Sequence, residues 1–165
     1  AFSGRVDQAE ACYLRMLQIY PDYHLLHVLL SQLLLSQPQL TTDDIQVALE
    51  HAQAAMDAIP DRAEVVGTFG IACYRAGDYA AAVEALENAR SRRTFVDRTN
   101  VHRWCYLAMA YWQLGQKEQA VDAYRQATDL IRWYGFNGDT IRRLDAETAD
   151  LLGLRPGDEI AAPRH

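Results

Sequence analysis

Residues that break helices are scarce in this sequence, and apolar runs of membrane-spanning length are missing. Only 9 Gly and 5 Pro occur among 165 residues, against 25 Ala and 19 Leu. Ala and Leu lead the helix propensity scale, so this balance favours helix. No apolar run approaches the roughly 20 residues that a membrane-spanning helix needs. Half of the chain is hydrophobic (50%), which excludes a chain that is disordered throughout. The composition therefore predicts a soluble, mostly α-helical protein.

The sequence also contains a single lysine and no closely spaced pair of cysteines. Lys117 is the single lysine among 16 basic residues, which leaves one candidate for lysine-dependent chemistry. The cysteines Cys12, Cys73 and Cys105 are isolated and odd in number. This pattern fits a reducing, cytoplasmic compartment rather than a disulfide framework or a thiolate metal site. The chain begins without Met or a secretory leader, and we interpret it as a piece of a longer protein.

The charge is unevenly distributed along the chain. Residues 1–85 carry 11 acids and 4 bases, and residues 86–165 carry 11 acids and 12 bases. The net charge of −6 argues against broad binding to nucleic acid or to an anionic membrane. The densest basic run contains Arg90, Arg92, Arg93 and Arg98. These arginines could simply stabilise the C-terminus of a helix and lie in a solvated loop. Alternatively, they form a docking patch for an acidic or phosphorylated protein partner. Binding to nucleic acid is a weaker alternative.

A pattern of spaced residues recurs along the chain. Its clearest copy surrounds a turn at Gly115 and consists of Trp104, Leu107, Ala108, Tyr111, Ala120, Tyr124 and Ala127. The same spacing occurs 38 residues earlier around Gly77, with Val66, Phe69, Gly70, Cys73, Ala82, Leu86 and Ala89. Small residues fall where two helices must approach closely, and large ones fill the gaps between neighbours. The spacing therefore predicts stacked helix-turn-helix units.

Two less regular copies lie upstream, so the chain divides into about three and a half repeats. We assign a half repeat to residues 4–21 and full repeats to 24–60, 63–96 and 101–133. A last helix over 139–152 has an apolar stripe formed by Ile141, Leu144 and Leu151 and a charged opposite face. Such a helix can keep the end of a stacked array soluble, so we interpret it as a cap. Residues 1–154 are thus predicted to form one domain, followed by a flexible tail over 155–165.

The spaced residues resemble the tetratricopeptide repeat (TPR) family across residues 4–133. The resemblance implies an all-α, right-handed α-α superhelix that binds peptides or protein surfaces and has no catalytic residues of its own. Residues 32–154 also resemble, more loosely, the C-terminal TPR region of large bacterial multidomain proteins, including some Ser/Thr protein kinases. That second likeness implies an appended regulatory or docking region.

The TPR resemblance further implies a concave binding groove formed by the first helices of the repeats. The predicted partner-binding residues are Leu25, Val28, Gln32, Leu35, Ile71, Tyr74, Arg75, His102, Met109 and Trp112. This set is mostly apolar and aromatic, which suits an amphipathic helix or an apolar strand rather than the terminal carboxylate that some TPR domains grip. The same residues could instead pack internally, or join two copies of the chain into a homodimer.

Few residues suggest catalysis or metal binding. His24 and His27 share a helix face near Asp22, but no further ligand is evident. His102 and Cys105 lie three residues apart, yet no oxyanion donor follows them. Phosphate-binding, hydrolase and metalloprotease motifs are missing. We therefore expect a non-enzyme without metal or cofactor, whose partner is a protein, a peptide or another domain of the parent protein, with no nucleic acid and no membrane involved.

Overall fold

Turn residues end most of the helices and place their successors side by side. Gly77 and Gly115 adopt left-handed backbone conformations (φ 87° and 76°), which a residue with a Cβ rarely adopts. Asp78 then begins the next helix, because its carboxylate accepts a hydrogen bond from the Ala81 amide at 3.0 Å. Thr41 and Asp44 form a reciprocal capping box at another helix start.

The computed structural model describes residues 3–92 and 98–156, with side chains described over 8–92 and 100–156. These ranges contain helices and no strand. The helices are α1 (Ser3–Ile19), α2 (Leu25–Leu35), α3 (Thr42–Ala58), α4 (Ala63–Arg75), α5 (Tyr79–Ser91), α6 (Arg98–Gln113), α7 (Lys117–Tyr134) and α8 (Asp139–Leu152). The all-α prediction is confirmed. The assignment of these helices to numbered repeats stays an interpretation, and residues 157–165 of the predicted tail lie outside the described ranges.

The helices form two rows. Helices α2, α4 and α6 each pack against the helix that follows in the chain. In addition, α2 contacts α4, α4 contacts α6, and α6 contacts α8. The outer helices α3, α5 and α7 make no contact among themselves within the described part of the chain. Since the inner helices are closer together than the outer ones, the array curves with α2, α4, α6 and α8 on its concave side.

Small side chains allow this close packing. The outer helices bury alanines against the inner row, and these are Ala48, Ala52, Ala55, Ala82, Ala85, Ala89, Ala120, Ala123 and Ala127. On the inner row, Gly70 packs so closely on α5 that a Cβ there would lie 2.8 Å from Leu86 Cγ. The positions at which the sequence pattern requires small residues are therefore helix contacts, as the pattern predicts.

Helix α8 continues the inner row and is more than a solvent-facing cap. Ile141, Leu144 and Leu152 join the core cluster of α6 and α7. The buried Tyr124 of α7 donates a hydrogen bond to the Asp145 carboxylate at 2.6 Å. Part of the charged face of α8 is thus engaged inside the array.

Two histidines join α2 to α3. His27 Nδ1 and His51 Nδ1 are 2.9 Å apart, a hydrogen-bond distance. One ring must donate and the other accept, so at least one imidazole is neutral. Burial is the largest cause that lowers the pKa of both rings below the ordinary value of 6.5, and for His27 the charges of His51 and His24 lower it further. The structure therefore pairs His27 with His51 of the neighbouring helix rather than with His24.

We expect the free energy of unfolding to fall as the pH drops below about 6.5. The folded-state pKa values lie below the unfolded ones, so the stabilisation is complete above the unfolded pKa and is lost as the rings become protonated. Urea denaturation between about pH 7.5 and about pH 5.5 measures this slope. His51→Gln should flatten it, whereas the control His24→Gln should retain most of it. An equal slope in His51→Gln and the wild type would contradict the account.

Candidate binding groove

The concave side of the inner row contains a groove of about 580 Å³. This volume lies within the range of ordinary ligand sites. Helices α2, α4, α6 and α8 line it together with the segment that follows α2. Its apolar side chains are Leu35, Pro38, Leu40, Ile71 and Leu144. The four inner helices and this segment thus present one partly apolar surface to a binding partner.

Polar contacts between helices shape the same groove. The Gln32 amide donates a hydrogen bond to Thr68 Oγ1 at 2.9 Å, which links α2 to α4. The Arg103 side chain of α6 lies against Gly67, where a Cβ would come within 2.3 Å of Arg103 Nε. Glycine at position 67 therefore gives this arginine room, and Arg103 is 7% exposed. The close approach explains why a helix-breaking residue is tolerated inside α4.

Arg75 connects three helices at this groove. Its guanidinium donates to both carboxylate oxygens of Glu147 on α8, at 2.6 and 3.0 Å. It also donates to the Tyr106 hydroxyl on α6, at 2.8 and 3.2 Å. A bidentate arginine–carboxylate pair has restricted geometry, so these contacts set the separation of α4, α6 and α8.

The groups around Arg75 keep fixed protonation states near neutral pH. Burial alone lowers the pKa of Arg75, but the hydrogen bonds and charges of Glu147 and Tyr106 outweigh it and raise the pKa above its ordinary value. Burial raises the pKa of Tyr74 to about 12, and it also raises that of Tyr106. The Tyr74 ring packs edge-on against Tyr106, with centroids 5.4 Å apart. The cluster therefore holds one cation between neutral phenols and a carboxylate.

The structure brings half of the predicted partner-binding residues together. Gln32, Leu35, Ile71, Arg75 and His102 line the groove. Other residues line the groove that the sequence pattern does not predict, above all Arg103, Tyr106, Arg143 and Glu147. Three of these four carry a formal charge, so the groove is more charged than the mostly apolar and aromatic set that the sequence predicts. Arg143 and Glu147 belong to the charged face of α8, which the sequence pattern predicts to face solvent.

The other five predicted residues lie away from the groove lining. Val28 and Met109 are 1% and 0% exposed in the core, so their expected position on the groove is corrected. Leu25 packs with Val28 near α3 and α4. Tyr74 contacts the rings of Tyr79 and Tyr106, and the Trp112 ring lies 5.1 Å from the Lys117 ammonium. Met109 shares its cluster with Ile141, Leu144 and Leu152, so α8 covers this part of α6.

Two of the four arginines of the predicted patch, Arg90 and Arg92, are engaged in local contacts. Arg90 pairs with Glu87 and lies 5.5 Å from the centre of the Trp104 ring. Arg92 donates to Asn88 at 2.6 Å and to the Pro60 carbonyl at 3.1 Å. Arg93 lies outside the described residues, as does the side chain of Arg98. Docking of an anionic partner at this patch stays a prediction.

The residues considered for catalysis or metal binding do not converge. Cys105 is fully buried, and burial raises its pKa to about 12, so the thiol is protonated at neutral pH. Within 3–92 and 98–156, no group of three or more His, Cys, Asp or Glu residues could hold a metal ion. No helix in those ranges is both long and apolar enough to cross a membrane.

Comparison with known proteins identifies the class. Residues 101–132 match the family model of the tetratricopeptide repeat. Two solved structures, "Crystal structure of MamA" and "Crystal structure of MamA protein", are 20% identical to this chain, with TM-scores of 0.61 and 0.60. Each alignment covers 92% of this chain and 83% or 78% of the other. The described residues form a TPR-like helical solenoid, and the predicted resemblance to the tetratricopeptide repeat is confirmed over residues 101–132.

One curated relative extends the comparison. The chain is 28% identical over 128 residues to human "Cilia- and flagella-associated protein 70". The alignment covers 78% of this chain and 11% of that protein, so the chain spans about a tenth of its relative's length. The likeness to bacterial kinase-associated regions stays a prediction.

We expect Glu147→Gln to lower the free energy of unfolding by about 1 kcal/mol. Gln leaves the half-buried Arg75 without its carboxylate, and the loss is limited because the Glu147 side chain is 41% exposed. Relative to the wild type, amide hydrogen exchange in Glu147→Gln should become faster in α8 by a larger factor than in α4. Asp150→Asn is the matched control, because it removes an exposed carboxylate from the same helix. Equal stability and exchange in both variants would contradict the role of Arg75 as a link to α8.

Proposed function

We propose that this chain is a non-catalytic interaction module that binds a peptide or a helix of another protein in the groove between α2, α4, α6 and α8. The observation that carries the proposal is the groove itself, which combines apolar side chains from successive helices with hydrogen-bonding groups. Grooves of this kind recognise amphipathic segments through a few anchoring side chains. The TPR repeat at residues 101–132 supports the same class of function.

We infer that the module serves a larger protein. The human relative is about nine times longer than the aligned segment, which supports a role as one interaction region among others. The partner is then a separate protein or another domain of the same parent protein. The bacterial origin and the cytoplasmic location stay predictions.

A second candidate function is self-association. Exposed apolar side chains cluster where α1 meets α2, with Ile19, Tyr20 and Tyr23 between 51% and 61% exposed. A second copy could cover this surface, because contiguous apolar patches of this kind often mark interfaces. Light scattering distinguishes the candidates: a concentration-dependent dimer that Tyr20→Ser and Tyr23→Ser dissociate supports self-association, and a monomer at all concentrations excludes it.

We expect groove substitutions to weaken peptide binding by about tenfold or more, the loss that follows when one anchor of roughly 1.4 kcal/mol is removed. Peptides are selected on the wild-type chain from a random display library, and their Kd is measured by fluorescence anisotropy. Thr140→Trp adds bulk at an exposed position in the groove, and Leu40→Asp places a charge among its apolar side chains.

Gln126→Trp is the matched control, because it adds the same bulk to an exposed position on the outer helix α7. Its Kd should equal that of the wild type. Equal Kd values for all three variants would overturn the proposal, and so would a selection that yields no binder.

A further inference from the structure

Arg143 of α8 is an exposed cation that lines the groove and forms no ion pair with any described residue. The other groove arginines differ in this respect. Arg75 is held by Glu147, and Arg103 packs against Gly67 and donates to Asn100. Among the described lining residues, one guanidinium is therefore available to an incoming group.

The lack of a partner has a structural cause. Acidic residues stand four positions before and four after Arg143, at Asp139 and Glu147, where helical geometry favours ion pairs. Asp139 pairs instead with Arg142, and both oxygens of Glu147 accept from Arg75. The link between α4 and α8 thus removes the carboxylate that Arg143 would otherwise meet.

The charge of the groove is opposite to that of the whole chain. Three arginines and one glutamate line the groove, whereas the chain carries a net charge of −6. A local cationic site on an acidic protein attracts an isolated carboxylate, and the surrounding negative charge disfavours a polyanion such as nucleic acid. The apolar side chains of Leu35, Ile71 and Leu144 border the same space.

We propose that the groove selects a protein segment in which an Asp or Glu side chain lies beside apolar residues. The carboxylate accepts hydrogen bonds from the Arg143 guanidinium, and the apolar neighbours contact Leu35, Ile71 and Leu144. This inference rests on the proposed function and adds the chemistry of the partner. It assigns recognition to α8, a helix that follows the repeats.

Arg15 provides a matched control. It is an exposed arginine on α1 and it does not line the groove. Arg143→Gln and Arg15→Gln therefore change the net charge equally and differ in the position of the lost cation. Arg142 is unsuitable, because its loss would release Asp139 to pair with Arg143.

The experiment uses the full chain and random displayed peptides of about 16 residues, a length that can form an amphipathic helix. Selected peptides should be enriched in Asp or Glu next to Leu, Ile or Phe. Each is then synthesised with its acidic residue and with the corresponding amide. We expect the amide to weaken binding to the wild type by about tenfold, as a lost charge-assisted bond would.

Arg143→Gln should weaken binding of the acidic peptide by a similar factor and should no longer distinguish it from the amide peptide, as a double-mutant cycle requires. Arg15→Gln should bind both peptides as the wild type does. If Leu40→Asp and Thr140→Trp abolish binding while Arg143→Gln leaves the preference for the acid intact, this inference is wrong and the proposed function stands. If no groove variant changes binding, or if no peptide is selected, both are wrong.

Discussion

The Arg75 guanidinium is the contact on which the shape of the concave side depends. Its five-donor fork bonds Tyr106 on α6 and both carboxylate oxygens of Glu147 on α8, so one side chain sets the spacing of three inner helices. The Arg75 side chain is only 22% exposed. Without these acceptors its charge would be partly desolvated with no compensating contact, which would lower the free energy of unfolding. The groove is therefore defined by a charged contact between helices that are far apart in sequence, in addition to the apolar packing within each pair.

The same contact also determines the charge pattern of the groove. Glu147 is committed to Arg75 and Asp139 to Arg142, which leaves Arg143 at the groove without a carboxylate among the described residues. Buried alanines in the outer helices and Gly70 in the inner row let the helices approach closely enough for this arrangement. Packing brings the inner helices together, and the ion pairs then decide which charges remain available. The proposed partner chemistry follows from both.

Local features of the sequence predicted most of the fold. Gly77 and Gly115 mark turns, and the recurring alanines mark close contacts between neighbouring helices. Such features depend on residues near in sequence, so the spacing alone predicts them. Only half of the predicted partner-binding residues line the groove, because the groove is formed by contacts between residues that are far apart in sequence. Arg75 and Glu147 are 72 residues apart, and a helical wheel of α8 places Glu147 on a solvent-facing side. Met109 was expected in the groove but is buried in the core. Each inner helix packs against several neighbours, and the periodicity of its sequence does not show which neighbour covers a given apolar residue.

The central claim is that partners bind on the concave row of α2, α4, α6 and α8. Methyl chemical shifts of the chain, recorded during titration with a selected peptide, test it most directly. The account predicts that the methyl groups of Leu35, Ile71 and Leu144 shift with a common Kd, while those of Val83 on α5 and Val121 on α7 stay unchanged. Shifts confined to the outer helices, with the groove methyl groups unaffected, would contradict it.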